Sequence, residues 1–129
     1  MLTDFSDLLG KTLVKITVDN LETWMDNELG TVLKFETIDG DVYEMYHYQS
    51  CCESVWLEDT AGDLDDLLHQ PILQAEKVTE DLPSSYGIKG YTFYKLATIK
   101  GSVTLRWCGE SNGYYSIDVS FSKLERTTP

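Results

Sequence analysis

The fold is decided by the stretch Tyr94-Lys95-Leu96-Ala97-Thr98-Ile99-Lys100-Gly101-Ser102-Val103-Thr104-Leu105-Arg106-Trp107. Apolar and polar residues alternate on both sides of Lys100-Gly101, a pair that is typical of a two-residue β-hairpin turn. The register that this turn predicts sets three pairs opposite one another: Thr98 with Val103, Leu96 with Leu105, and Tyr94 with Trp107. Lys95 and Arg106 then share the outer face. The stretch therefore predicts an antiparallel hairpin with one buried face.

Two further turns predict hairpins of the same kind. Asp39-Gly40 indicates a two-residue turn between strands from Thr31 to Ile38 and from Asp41 to Tyr48, with Glu44 opposite Phe35. Around Asn112-Gly113, a three-residue loop that includes Ser111 is favoured, because a one-residue slip would turn every side chain to the other face. The longer loop sets only apolar residues opposite one another: Trp107 with Ile117, Leu105 with Val119, and Val103 with Phe121.

The remaining elements are predicted from alternation, capping residues and breakers. They are a helical stretch from Thr3 to Leu9, strands from Lys11 to Val18 and from Pro71 to Thr79, an ambiguous strand from Leu21 to Met25, a short helix that begins at Thr60 and ends before Pro71, and a long loop from Glu80 to Gly90. We expect one α+β domain over residues 1–129. Its mostly antiparallel, strongly bent sheet has seven to eight strands and two short helices, and partial closure like a barrel is one form open to it.

The formal net charge is −12 at pH 7. A surface of this sign repels phosphate, so direct nucleic-acid binding is disfavoured, whereas a basic protein would be attracted. No apolar run is long enough to span a membrane, and three cysteines do not form a disulfide framework. We therefore expect a soluble cytoplasmic protein without membrane attachment. Exposed sheet edges are compatible with a homodimer.

Nearly all of the charge comes from an acidic window between Phe35 and Glu76 that contains no Lys or Arg. Part of this charge is explained by folding, since Asp39 and Asp41 flank a turn and a helix start favours acids. The window holds eleven acidic residues: Glu36, Asp39, Asp41, Glu44, Glu53, Glu58, Asp59, Asp63, Asp65, Asp66 and Glu76.

The same window contains residues that could ligate a metal or act as nucleophiles: His47, Cys51, Cys52, Ser54 and His69. Zinc sites usually pair their ligands as Cys-x-x-Cys or His-x₃-His, and adjacent cysteines in an extended chain point to opposite sides. The acidic run departs from the calcium-loop pattern because an alanine interrupts its oxygen donors. Neighbouring acids would also raise the pKa of a thiol. We therefore predict no metal, no cofactor and no catalytic residue.

Two groups of motifs are distinctive. The first comprises Met45-Tyr46-His47, Glu53-Ser54-Val55, Glu58-Asp59, Gly62-Asp63-Leu64 and Pro71-Ile72-Leu73, and the second Phe93-Tyr94-Lys95-Leu96-Ala97-Thr98 and Gly109-Glu110-Ser111-Asn112-Gly113-Tyr114-Tyr115-Ser116. From about Leu8 to Phe121, the chain resembles a family of small uncharacterised acidic proteins encoded largely by bacteriophages and prophages. The resemblance implies a protein made in the cytoplasm of a bacterial host, and it implies no catalytic residues.

Charge and resemblance together predict a non-enzymatic interaction protein that binds a host protein with a basic surface. In its most specific form, this prediction is that the protein inhibits a host defence or a nucleic-acid-binding factor. Carboxylates would supply the charge, and aromatic residues and a stiff turn would supply contacts. The predicted partner-binding residues are Tyr46, His47, Tyr48, Glu53, Trp56, Glu58, Asp59, Asp63, Asp65, Asp66, Glu110, Ser111 and Tyr114.

Two other function classes stay open. A small-ligand protein that binds or sequesters a nucleotide would stack the base on Tyr or Trp and hold phosphates with Lys95, Lys100 and Arg106. An uncharacterised hydrolase is the third reading, and it would depend on His47 or Cys51.

Overall fold

The computed structural model describes residues 3–22, 29–46, 53–82, 88–111 and 119–124. These residues form eight strands and two 3₁₀ helices, each of four residues. The strands are β1 (Leu13–Glu22), β2 (Leu29–Thr37), β3 (Val42–Tyr46), β4 (Glu53–Ala61), β5 (Gln74–Leu82), β6 (Ile88–Thr98), β7 (Gly101–Ser111) and β8 (Ser120–Lys123). The first 3₁₀ helix spans Phe5–Leu8 and the second spans Leu64–Leu67.

The strands divide into two antiparallel sheets of four. The first sheet has the order β1-β2-β3-β8, and the second has the order β4-β7-β6-β5. Their inner residues meet in one core, which includes Phe35, Tyr43 and Phe121 from the first sheet with Leu105 and Trp107 from the second. The mostly antiparallel architecture is confirmed. The single bent sheet and its barrel-like closure are wrong, since the described strands form two separate sheets.

The hairpin of β6 and β7 forms, with a register that differs by two residues from the predicted one. Thr98 lies opposite Gly101, so Ile99 and Lys100 make the turn. A shift of two keeps every side chain on its predicted face. Gly101 lies against the carboxylate of Asp66, where an added Cβ would come within 2.7 Å of Asp66 Oδ2. This contact with a distant segment keeps Gly101 in the strand.

The hairpin of β2 and β3 also forms, but its loop has three residues, 38–40. Phe35 therefore lies opposite Tyr43, and Glu44 lies opposite Lys34 rather than Phe35. The amide of Thr37 donates to the carbonyl of Asp41 over 2.8 Å. The left-handed residue of the loop is a glycine, with φ of +90° at residue 40. Matched burial of the paired aromatic residues explains why the longer loop is adopted.

The predicted hairpin after β7 is wrong. Both edges of β7 are occupied, by β6 and by β4. Strand β8 instead crosses to the first sheet, where Phe121 lies opposite Met45. Val119 and Phe121 are buried as the alternation predicted, but in a different sheet. The turn residues 112–118 lie outside the described residues.

Both predicted helices are single 3₁₀ turns, so the chain is mostly β rather than α+β. Asp4 caps the first helix, and its carboxylate accepts from the amide of Ser6. Asp63 caps the second helix, because Thr60, the predicted start, belongs to β4. The predicted long loop is largely strand, since β5 reaches Leu82 and β6 starts at Ile88. The ambiguous segment near Leu21 extends β1, and residues 23–28 lie outside the described residues.

A hydrogen-bonded crosspiece joins the two sheets at one end of the molecule, and it consists of residues 9–12 and 69–73. The amide of Gly10 donates to the carbonyl of Ile72, and the amide of Ile72 donates to the carbonyl of Lys11, over 2.9 and 2.8 Å. One side reaches the first sheet through a bond from the Ile38 amide to the Thr12 carbonyl. The other side reaches the second sheet through a bond from the Leu73 amide to the Ala97 carbonyl.

Candidate functional site

Five of the predicted partner-binding carboxylates lie close together in the sequence, where β4 ends and the second 3₁₀ helix begins. We call this group the acidic ridge, and it consists of Glu58, Asp59, Asp63, Asp65 and Asp66. The first four are exposed and Asp66 is half-buried. Strand β4 is an edge strand of the second sheet, so no further strand covers the ridge within the described residues.

Two residues of the acidic ridge serve the fold. The Oδ1 atom of Asp63 accepts from the amide of Asp65 over 3.0 Å and caps the helix. The carbonyl of Asp66 accepts a hydrogen bond from the hydroxyl of Thr98, and its carboxylate lies against Gly101. These contacts fasten the helix to the turn between β6 and β7.

A β-bulge shapes the other end of the ridge. The register shifts between Leu57 and Asp59, which leaves Glu58 as the extra residue and sets Asp59 opposite Arg106. Glu58 Oε1 accepts from Arg106 Nη2 over 3.0 Å. The same guanidinium lies over the ring of Tyr91, 5.6 Å from its centroid. One cation is therefore shared between a carboxylate and an aromatic ring.

Asp59 and Asp65 have no such role. Within the described part of the chain, neither carboxylate forms an ion pair or caps a helix. Both are exposed, and both lie close in the sequence to the other ridge residues. Because the net charge is −12, an exposed carboxylate without an ion pair or a cap adds to the self-repulsion of the folded chain.

Next to the bulge, Cys108 is covered even though it lies on the outer face of the second sheet. It is 3 % exposed. Burial, first, and then the hydrogen bond of its thiol to Glu58 raise the pKa of Cys108 to about 11. The thiol is therefore protonated at neutral pH and is a poor nucleophile. Further along β7, Glu110 pairs with Lys89 over 3.3 Å, and this bond is the main reason that the pKa of Lys89 is raised.

The three cations of the alternative ligand site lie on one hairpin. Lys95 lies opposite Thr104, and Arg106 lies opposite Phe93, so both are on the outer face as predicted. Lys100 lies in the turn and is exposed. Of these three cations, Arg106 is already neutralised by its ion pair with Glu58.

The other predicted contact residues do not all lie near the acidic ridge. Tyr46 is half-buried and lies on β3, in the first sheet, whereas the acidic ridge belongs to the second. Glu110 is exposed near the end of β7. Glu53, Trp56 and Ser111 are placed by the backbone alone. Glu53 and Ser111 lie opposite each other, and Trp56 lies opposite Cys108. The predicted residues that lie outside the described ranges are His47, Tyr48 and Tyr114, together with Cys51 and Cys52.

Sequence reasoning missed the cluster of Glu58, Arg106 and Tyr91. Its members are far apart in the chain, and the bulge that directs Glu58 to Arg106 has no clear signal in the residues around it. Alternation on β6 and β7 does place Tyr91 and Arg106 on one face, and this was the available clue.

Neither a metal centre nor a membrane-spanning helix is found among the described residues. Among the described residues, no group of three or more His, Cys, Asp or Glu side chains is arranged to hold a metal ion. His69 is exposed and has a φ of 66°, a left-handed conformation that is uncommon for residues other than glycine. The described part of the chain contains no helix with the length and apolar character needed to cross a membrane.

Comparison with known proteins identifies a family for this chain. No curated protein and no solved structure matches the chain significantly. A family described as "Domain of unknown function (DUF7448)" matches residues 6–121, which is most of the chain. The protein therefore belongs to the DUF7448 family.

Proposed function

We propose that the protein is a non-catalytic interaction protein that binds a basic surface of another protein through the acidic ridge. The observation that carries this proposal is the pair Asp59 and Asp65. Both are exposed, both lie among other carboxylates, and neither stabilises the fold through an ion pair or a cap within the described residues. Charge that opposes folding is readily explained when it contributes to binding.

The net charge of −12 attracts a basic partner from distances beyond direct contact. A strongly negative protein accelerates encounter with a basic partner, and this acceleration falls as salt is added. From the resemblance of its motifs to those of bacteriophage and prophage proteins, we further propose that the partner is a protein of a bacterial host. A host protein that normally binds nucleic acid has the required basic surface, and its inhibition is the role that we propose.

The test compares two double variants. Asp59→Lys with Asp65→Lys reverses the ridge charges that form neither an ion pair nor a cap within the described residues, and it leaves the cap Asp63 and the half-buried Asp66 intact. Glu80→Lys with Asp81→Lys is the matched control, because it makes the same change in net charge on β5, the opposite edge of the same sheet. Each tagged protein is used to capture partners from an extract of the bacterial host, and the captured proteins are quantified by mass spectrometry.

We expect a basic protein that is captured by the wild type and by the control, is lost with the ridge variant, and binds less as salt is raised. Equal capture by wild type and ridge variant would refute the proposal. A loss that is equal for both variants would show that net charge, rather than the ridge, is responsible.

A second candidate is the binding of a small anionic ligand on the outer face of β6 and β7. It is favoured by the half-buried rings of Tyr91 and Phe93, whose centroids are 5.9 Å apart, beside Lys95 and Arg106. The ion pair with Glu58 weighs against it, since an anion would have to compete with that carboxylate. A rise in melting temperature with nucleotides that Arg106→Gln abolishes would support this candidate over the first.

A further inference from the structure

The end of the molecule at the crosspiece carries exposed apolar side chains. Ile99 is 79 % exposed, Ile38 67 %, Leu73 64 % and Leu9 48 %. These are the four most exposed large hydrophobic residues of the described chain, and we call them the apolar pole. Single exposed apolar residues are normal, but a group gathered at one place usually marks an interaction site.

Backbone hydrogen bonds and a β-bridge join the neighbouring segments that carry these four residues. The amide of Ile38 bonds to Thr12 over 2.8 Å, Thr12 pairs with Pro71, and the amide of Leu73 bonds to Ala97 over 2.7 Å. Ile99 follows Ala97 by two residues, and Leu9 adjoins Gly10 in the crosspiece. Each hydrogen-bonded step separates neighbouring chains by about 4.8 Å, so the pole is roughly 15 Å wide.

The acidic ridge borders this pole. The Thr98 hydroxyl bonds to the carbonyl of Asp66, and the Asp66 carboxylate lies against Gly101, so the second 3₁₀ helix adjoins the turn that carries Ile99. On the far side, Asp39 lies in the same turn as Ile38. Lys11 and Lys100 are the cations on these segments, and they are outnumbered by the carboxylates of the ridge and of Asp39.

We infer that the partner segment which docks here is an amphipathic basic helix, with its apolar face on the apolar pole and its Lys or Arg side chains toward the acidic ridge. The inference rests on the proposed function and names the chemistry of the partner. About ten helical residues span 15 Å, which is three turns and a usual helix length. Charge complementarity selects this occupant, because a second copy of the chain, an anionic lipid surface and a nucleic acid would all carry negative charge to the ridge.

The probe is a labelled peptide of about 14 residues, made of leucine and lysine spaced so that one helical face is apolar. A control peptide has serine in place of each leucine, so it carries the same charge. Fluorescence anisotropy measures the affinity of both peptides at physiological salt. We expect the leucine peptide to bind at least about tenfold more tightly than the serine peptide, because only the former covers the pole.

Variants then locate the contact. Ile99→Ser is expected to weaken the leucine peptide about three- to tenfold and to leave the serine peptide unchanged. Val18→Ser is the matched control, since Val18 is an exposed apolar residue in the middle of β1, away from the crosspiece. This control should bind both peptides as the wild type does. Equal affinity for the two peptides, no binding of the leucine peptide, or an Ile99→Ser variant with unchanged affinity would each overturn the inference.

The ridge variant separates this inference from the function on which it rests. Asp59→Lys with Asp65→Lys should weaken both peptides. If it does so while Ile99→Ser has no effect, the acidic ridge binds basic segments and the apolar pole does not contribute. If the ridge variant binds both peptides as the wild type does, the proposed function fails as well.

Discussion

Replacing Gly62 with alanine should destabilise the protein far more than the same change at another left-handed glycine. Gly62 has a φ of +109°, and a Cβ placed on it would collide with the carbonyl oxygen of Ser102 and lie 3.1 Å from Cα of Val103. Both neighbours are backbone atoms of β7, so neither can rotate away. Gly10 also has a positive φ, of +80°, but a Cβ there would meet nothing within 4 Å.

The two variants therefore separate conformational strain from collision. A left-handed backbone costs a residue with a Cβ about 1–2 kcal/mol, and this cost applies to both. Displacing β7 from Gly62 should add about 2 kcal/mol, which is the scale of strain or overpacking in a well-packed region. We expect Gly62→Ala to lose about 3–4 kcal/mol in free energy of unfolding, which lowers the melting temperature by roughly 10–15 °C.

Urea denaturation followed by tryptophan fluorescence measures both free energies, and equal slopes against urea would show that the unfolded states are comparable. The reasoning is refuted if Gly62→Ala comes within about 0.5 kcal/mol of Gly10→Ala, a margin typical of independent surface changes. The result bears on the candidate site, because Gly62 allows the chain to approach β7 closely between the two halves of the acidic ridge.

Two further predictions concern single side chains. The Tyr43 hydroxyl donates to Asp7 over 2.6 Å, and burial, followed by this bond, raises the pKa of Tyr43 well above its ordinary value of 10.0. Tyr43→Phe should cost about 1 kcal/mol at neutral pH. Because the pKa of Tyr43 is higher in the folded state, the wild type keeps this stabilisation below pH 10 and loses it as the pH rises above 10. Urea denaturation across that pH should therefore show a smaller loss of unfolding free energy for the variant than for the wild type. An equal loss would contradict the assignment. His69→Gly should raise or preserve the melting temperature, since glycine adopts the left-handed backbone freely, whereas His69→Val should lower it; stabilisation by valine would contradict the described backbone at His69.

Local patterns were sufficient to predict strands and faces, but they did not determine the registers. Alternation around residues 99–101 predicted the hairpin of β6 and β7 and the inner faces of both strands. The two possible turns differ by a register shift of two, which buries the same side chains, so burial could not distinguish them. The choice depends on Gly101 and Asp66, which are far apart in the sequence.

The arrangement into two sheets was beyond the reach of local patterns. The turn signal at Asn112-Gly113 and the apolar residues after it fit a hairpin with β7. The competing partner, β4, lies about fifty residues earlier in the chain, and closing such a long connection costs only slightly more free energy than closing a shorter one. Packing of Phe121 beside Tyr43 and Phe5 in the core then stabilises β8 in the first sheet.

The sequence predicted only part of the candidate site, because some of its contacts join segments that are far apart in the chain. Composition identified the acidic window, and capping chemistry anticipated a role for the acids at the helix start, although it chose Thr60 rather than Asp63 as the cap. The bulge at Glu58 and its ion pair with Arg106 depend on the pairing of β4 with β7. Contact roles for all the predicted partner-binding residues stay predictions, and His47, Tyr48 and Tyr114 lie outside the described residues.

The acidic residues of the window fall into two groups, those that stabilise the fold and those that do not. Asp41 is buried and pairs with Lys123 over 3.6 Å, and Asp63 caps a helix, so these acids stabilise the fold. Asp59 and Asp65 form no ion pair and no cap within the described residues, and Asp65 belongs to the 3₁₀ helix that adjoins the turn carrying Ile99. Repulsion among carboxylates and exposure of isoleucine and leucine both disfavour an isolated protein in water. A single partner with basic and apolar side chains relieves both at once, and this coincidence is the reason to seek the binding site here rather than elsewhere in the window.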